Sequence, residues 1–171
     1  MILVRHAESE WNRHFSRTRI DPGIPDPPLT PAGRRQAEQL IDRLAAADVA
    51  RLVASPYRRA LETATVVANA LNLTIAIEPL VRERCVFSCD LGTSPQELAA
   101  LWPDLDFAHL EAQWWGVPAE SEVSLARRCA AFRAKTDALP DRWQVAVITH
   151  WGVIRTLTGQ ELTNAAAIRL P

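Results

Sequence analysis

The sequence has no apolar run near the roughly 20 residues that a membrane-spanning helix needs. It also lacks a basic flank followed by an apolar segment at its N-terminus, so a secretory signal is not expected. Positive charge is not in excess. Its 19 Lys and Arg against 20 Asp and Glu leave a net charge of -1, which argues against nucleic acid as a general partner. Cysteine is scarce and odd in number, at three, which fits reduced thiols better than a disulfide framework. Cys85 and Cys89 are spaced too widely for the usual zinc-binding pair, and no His follows at finger-like spacing. No repeat, linker or low-complexity tract is present. These absences leave a cytoplasmic globular chain with no membrane or nucleic-acid partner and no metal. Its 171 residues, 48% of them apolar and 23% charged, suit a single domain covering 1-171.

What is present is concentrated in the first twelve residues, MILVRHAESEWN. Met1 to Val4 is a short run of strand formers that stops at Arg5 and His6, side chains a buried strand would not carry for packing. A surface turn that happens to hold a His is the alternative. The pattern then recurs twice. Leu52 to Ala54 ends at Ser55-Pro56-Tyr57-Arg58-Arg59, and Val145 to Ile148 ends at Thr149-His150-Trp151-Gly152. In open α/β sheets ligands bind beyond the carboxyl ends of the strands. Were these strands neighbours in one parallel sheet, Arg5, His6, Arg58 and His150 would converge. Two imidazoles and two guanidiniums without a matching set of acids call for a polyanion such as phosphate.

Periodicity supplies the remaining elements. Thr30 followed by Pro31 reads as a helix start, and Ala37, Leu40, Ile41, Leu44 and Ala45 predict an amphipathic helix over Ala32 to Ala47. A second helix opens after Pro56 and runs to Leu71. It places Arg58 in a first turn, where the helix dipole adds to its attraction for an anion. Thr74 to Glu78 alternates like a strand, Ser94-Pro95 starts a short helix to Leu101, and Ser121 to Leu139 forms a helix burying Val123, Ala126, Cys129, Ala130 and Phe132. Gly152 to Leu162 is a final helix and Ala165 to Leu170 an edge strand. The polar, proline-rich stretch Arg13 to Pro28 reads as a loop that either borders the pocket or merely connects. Trp102, Phe107, Trp114 and Trp115 crowd one stretch, as core or as ligand stackers, with core the better reading. Strands alternating with helices predict a layered α/β/α fold with a mostly parallel central sheet.

With these residues in place, the sequence resembles the histidine phosphatase superfamily, also called the phosphoglycerate mutase-like family. LVRHAESEWN is similar to its N-terminal Arg-His-Gly signature, DPPLTPAGRRQA to its Leu-Thr-x-x-Gly helix start, SPYRRALETA to its Ser-x-x-x-Arg-Ala-x-x-Thr-Ala segment and ITHWGVIR to its second-histidine motif. The resemblance implies a metal-independent, cofactor-free phosphomonoester hydrolase with His6 as the nucleophile and a phosphohistidine intermediate. It implies Arg5, Arg58 and His150 around the phosphoryl oxygens, with Asn12 and the backbone N–H of Trp151 as further phosphate donors. Glu83 resembles the family's proton donor, although Glu78, Glu97 and Asp90 lie nearby. Glu8 reads as a loop or supporting residue.

The chain departs from the pattern at three places. Ala7 stands where glycine is usual, and would be strained if that position were left-handed. Trp151 replaces a small residue, where its indole would narrow the pocket or stack on a substrate ring. RERCVFSCDLG replaces a glycine and Trp-Glu-Gly beyond the acid. The expected ligand is a small phosphorylated substrate or a phosphoprotein. A cofactor-dependent phosphoglycerate mutase is the nearest alternative, since RHAESEWN is close to the mutase form of the signature. A catalytically weak phosphate-binding or regulatory module, suggested by Ala7 and Trp151, is the third.

Overall fold

The computed structural model describes residues 1–170. Five strands form one sheet: β1 (Ile2–Arg5), β2 (Arg51–Ala54), β3 (Ile75–Ile77), β4 (Val145–Thr149) and β5 (Ala167–Arg169). Their order is β3-β2-β4-β1-β5. The first four run parallel, and β5 pairs antiparallel with β1 at the edge. Period-two alternation splits the strand side chains between the two faces. Ile2, Val4, Ala146 and Ile148 join one core with α2 (Pro31–Ala45) and α3 (Arg58–Leu71). Leu3, Val145 and Val147 join a second core with α5 (Glu122–Asp137) and α6 (Trp151–Thr158). The layered α/β/α arrangement with a mostly parallel sheet is therefore as expected.

The helix ends follow local chemistry. Thr30 caps α2 through Gly33 N, with Pro31 in its first turn, as read from the sequence. α6 is shorter than predicted because Gly159 takes the left-handed conformation at φ 71° and terminates it. A short helix, α4 (Pro95–Leu101), follows Ser94 as expected.

Two expectations fail. Residues 13–28 are not all loop, because α1 spans Glu10–Thr18. Ser9 and Asn12 form a reciprocal capping box at its start, and Trp11 stacks on Phe15 one turn on, with ring centroids 4.4 Å apart. In α5 the buried face is Leu125, Arg128, Cys129, Phe132 and Thr136, while Val123, Ala126 and Ala130 are exposed. The inner face turns because Arg128 pairs with Glu120 through Nε and Nη2, both at 2.9 Å, and so enters the interior as a satisfied ion pair. Trp114 is buried, and Trp102 and Trp115 pack on the first core. Cys85, Cys89 and Cys129 are free and buried. Among the described residues no helix is long and apolar enough to cross a membrane.

Candidate active site

The sheet order explains the convergence. β4 lies between β2 and β1, with Arg5 opposite Thr149 and Ala54 opposite Ile148. The ladder continues one residue beyond the strands: His6 N donates to Thr149 O at 2.9 Å, and Ser55 N to Ile148 O at 3.1 Å. Three consecutive strand ends thus deliver His6, His150 and Ser55 to one place. The two imidazole centroids are 5.1 Å apart. His6 Nδ1 lies 2.8 Å from Ala7 O. A carbonyl only accepts, so Nδ1 carries the proton and Nε2 keeps its lone pair. His150 Nε2 lies 2.8 Å from Ser55 Oγ. With the hydroxyl donating there, the His150 proton sits on Nδ1. Burial pushes both imidazoles well below their usual range, and the charges of Arg59 and Arg5 act on both in the same direction. Both are neutral near pH 7.

On α3 the charge that acts on both imidazoles is that of Arg59, where the sequence pointed to Arg58. Arg59 is 2% exposed. Its Nη1 donates to Cys89 O at 2.7 Å and its Nη2 to Asp90 Oδ1 at 3.1 Å, while its Cζ sits 4.3 Å from the Tyr57 ring centroid. Counted from Ser55, the Ser-x-x-x-Arg-Ala spacing itself falls on position 59. Arg58 opens α3 with a half-buried side chain, its Nη2 lying 3.6 Å from Glu62 Oε1. Its backbone N–H donates to Asp26 Oδ1 at 2.9 Å, so the helix end expected to help hold an anion already holds a carboxylate of the 21–28 loop. Arg5 donates through Nη1 to Leu162 O at 2.7 Å.

Among the described residues, the buried side-chain nitrogens and oxygens with no partner are Arg5 Nε, Arg58 Nε and His150 Nδ1. Buried polar atoms are almost always paired. The N–H groups of Arg5 and Arg58 and, in the tautomer above, of His150 are thus left open to an anion.

Glu83 lies at the start of α6. Both its oxygens accept from Gly152 N at 3.1 Å, and Oε1 also accepts from Arg84 N at 2.8 Å. Burial, assisted by the charge of Asp90, raises its carboxyl above the usual range. Its partner Gly152 lies two residues after His150, which sets it near the second imidazole. Asn12 is partly committed elsewhere: its Oδ1 accepts from Ser9 N and from Asn164 Nδ2, and Asn164 Nδ2 also donates to His6 O at 3.0 Å. This leaves the Asn12 amide NH₂ as its donor. Asn164 is a supporting residue with no local sequence signal. Trp151 follows His150 as the first residue of α6 and packs its half-buried indole against the Arg155 guanidinium, 5.2 Å from the ring centroid. Ala7 is fully buried, donates its N–H to Thr63 Oγ1 and does not adopt a positive φ, so the strain expected there is absent. Glu8 accepts from Thr30 Oγ1 at 2.7 Å and anchors the start of α2 to the loop after His6.

A family model described as histidine phosphatase superfamily (branch 1) matches residues 1–169. A Proteus mirabilis protein named "Probable phosphoglycerate mutase GpmB" is 31% identical over 156 residues, covering 88% of this chain and 68% of its own length. Other curated relatives of that name are matched over 37% of their length. Among solved structures, a mycobacterial glucosyl-3-phosphoglycerate phosphatase superposes with a TM-score of 0.66 at 21% identity, over 98% of this chain and 87% of that one. The ecdysone phosphate phosphatase of Bombix mori does so with a TM-score of 0.65 at 19% identity, over 97% and 86%. At such identities the structural likeness is one of fold.

Proposed function

The chain belongs to branch 1 of the histidine phosphatase superfamily, and from that premise we propose that it is a metal-independent phosphomonoester hydrolase acting through a phosphohistidine on His6. One observation carries the proposal: a neutral imidazole with its Nε2 lone pair unprotonated lies 5.1 Å from the His150 ring, and the charges of Arg59 and Arg5 act on it. In the first step the Nε2 lone pair of His6 forms a bond to phosphorus, and the bond from phosphorus to the ester oxygen breaks. The leaving alkoxide takes the proton of Glu83, whose raised affinity for that proton suits a general acid. In the second step water attacks phosphorus, its proton passes to the Glu83 carboxylate and the P–N bond breaks. Inorganic phosphate leaves and both side chains return to their starting state. Arg5, Arg59 and His150 stabilise the charge spread over the phosphoryl oxygens as fixed donors, with Arg58 and the Asn12 amide at the edge. The substrate is a small phosphorylated molecule or a phosphoprotein.

The curated name of the Proteus mirabilis relative favours a second reading, phosphoglycerate mutase activity. There the phosphohistidine would return its phosphoryl group to a bound glycerate phosphate instead of to water. The test is phosphate release from a broad phosphomonoester panel with chelator present, parent against His6→Ala, alongside a mutase assay primed with 2,3-bisphosphoglycerate. Chelator-resistant release that vanishes in the variant supports the hydrolase. Isomerisation without release supports the mutase.

A further inference from the structure

A carboxylate beside an anion site works against binding unless it has another task, and Asp90 is such a carboxylate. It is 1% exposed and pairs with Arg59, the guanidinium whose charge acts most strongly on both imidazoles. Neither of its oxygens is left open. Oδ2 accepts from Val86 N and Phe87 N, both at 3.0 Å, and Oδ1 accepts from Arg59 Nη2 at 3.1 Å and from Cys89 Sγ at 3.4 Å. Its backbone carbonyl accepts from Tyr57 Oη at 2.7 Å, and the Tyr57 ring lies under Arg59 and edge-on to His150, at 5.2 Å. Arg59 is thereby held at three points: Cys89 O on Nη1, Asp90 Oδ1 on Nη2 and the Tyr57 ring on its face. Two of its five N–H donors are engaged, and three remain. The contrast with Arg58 is sharp, since its side chain is 34% exposed and its ion pair is long, at 3.6 Å.

We propose that Asp90 is a positioning residue that aims the Arg59 guanidinium at the phosphoryl group. This rests on the hydrolase reading above. It also gives a task to the segment that departs from the family pattern, RERCVFSCDLG, in which Cys89 and Asp90 are neighbours. The pairing supplies orientation, because donors fixed before substrate arrives need no reorganisation during the reaction. Asp90→Asn tests the geometry with little change of shape. The oxygen serving two backbone N–H groups must remain an oxygen, so the new NH₂ faces Arg59 Nη2, donor against donor.

Parent, Asp90→Asn, Arg59→Gln and the double variant are compared for kcat and KM on the best panel substrate. The dissociation constant of inorganic phosphate is measured by calorimetry, well below each melting temperature. The expected result for Asp90→Asn is a fall of at least tenfold in kcat and about tenfold weaker phosphate binding. Asp90→Asn should add less than twofold to the loss already present in Arg59→Gln. A kcat and phosphate affinity within twofold of the parent would overturn the inference even if the melting temperature falls, since burial alone would then account for Asp90. So would a tenfold further loss in the double variant. Were Asp90→Asn not to fold, a tenfold further loss from Arg59→Gln to the double variant, which removes both buried charges together, would still overturn the inference. If the parent turned over no phosphomonoester, the hydrolase reading would fail, and the phosphate calorimetry would still test Asp90.

Discussion

The backbone N–H of Gly152 donates to both oxygens of Glu83, each at 3.1 Å, binding the start of α6 to the residue proposed as the acid. That approach requires glycine, because a Cβ at position 152 would fall inside contact distance of Glu83 Oε1. Gly152→Ala is therefore expected to displace the carboxyl and lower kcat more than tenfold. Alanine is the better helix former by about 1 kcal/mol, which offsets much of the clash in stability. A kcat close to the parent's, measured beside the melting temperature, would show that Glu83 is not needed where it stands.

His6→Ala should abolish turnover and leave the melting temperature within a few degrees, since the ring's bond is to its neighbour's carbonyl. Rapid quenching of the parent with labelled substrate should trap an acid-labile, base-stable phosphoryl-protein that the variant lacks. A trapped adduct in His6→Ala would place the nucleophile elsewhere.

Glu83 titrates above the ordinary carboxyl range and His6 well below the ordinary imidazole range. In the proposed mechanism the active form has Glu83 protonated and His6 neutral. kcat/KM should therefore fall as pH rises through the Glu83 value and also fall at low pH as His6 takes a proton. Glu83→Gln removes the alkaline fall and slows alkyl phosphates by about 10² or more, with a smaller effect on a nitrophenyl ester whose leaving group needs no proton. Equal slowing of both esters would contradict the acid role.

Arg59→Gln should lower kcat/KM by about 10² to 10³, the range for loss of one fixed donor to developing charge. Arg58→Gln, at a half-buried side chain shared with Glu62, should stay within about tenfold of the parent. Steady-state kinetics on one substrate distinguish the two, and the reverse order would restore Arg58 as the principal phosphate ligand.

Stability should fall as pH drops. His6 and His150 have folded pKa values depressed by burial, while their unfolded values are near 6.5. Below about 6.5 the unfolded chain takes protons that the native protein refuses, at up to about 1.4 kcal/mol per histidine per pH unit. Glu83, with its raised value, pulls the other way. Subtracting the pH dependence of melting in His6→Gln from that of the parent isolates the His6 share, and an unchanged slope between pH 7 and 5 would refute a neutral buried His6.

Much of this protein is local and could be read along the chain. Apolar runs that stop at charged or imidazole side chains located β1, β2 and β4 and the ends where His6, Ser55 and His150 stand. Thr30-Pro31 located the start of α2, and motif order singled out His6, His150 and Glu83 as candidates. What local pattern could not carry was adjacency and facing. Arg58 and Arg59 are equivalent as letters, but about 100° of helical rotation turns one toward Glu62 and the other toward Cys89 and Asp90 in the interior. Arg128 enters the core of α5 because Glu120 meets it there, and Asn12 takes its cap because Ser9 precedes it and Asn164 reaches it from the far end of the chain. The order β2-β4-β1 sets the two imidazoles side by side, and burial then holds them neutral and raises the proton affinity of Glu83. Charge state depends on distance, solvent and partner, which arise when the chain closes on itself.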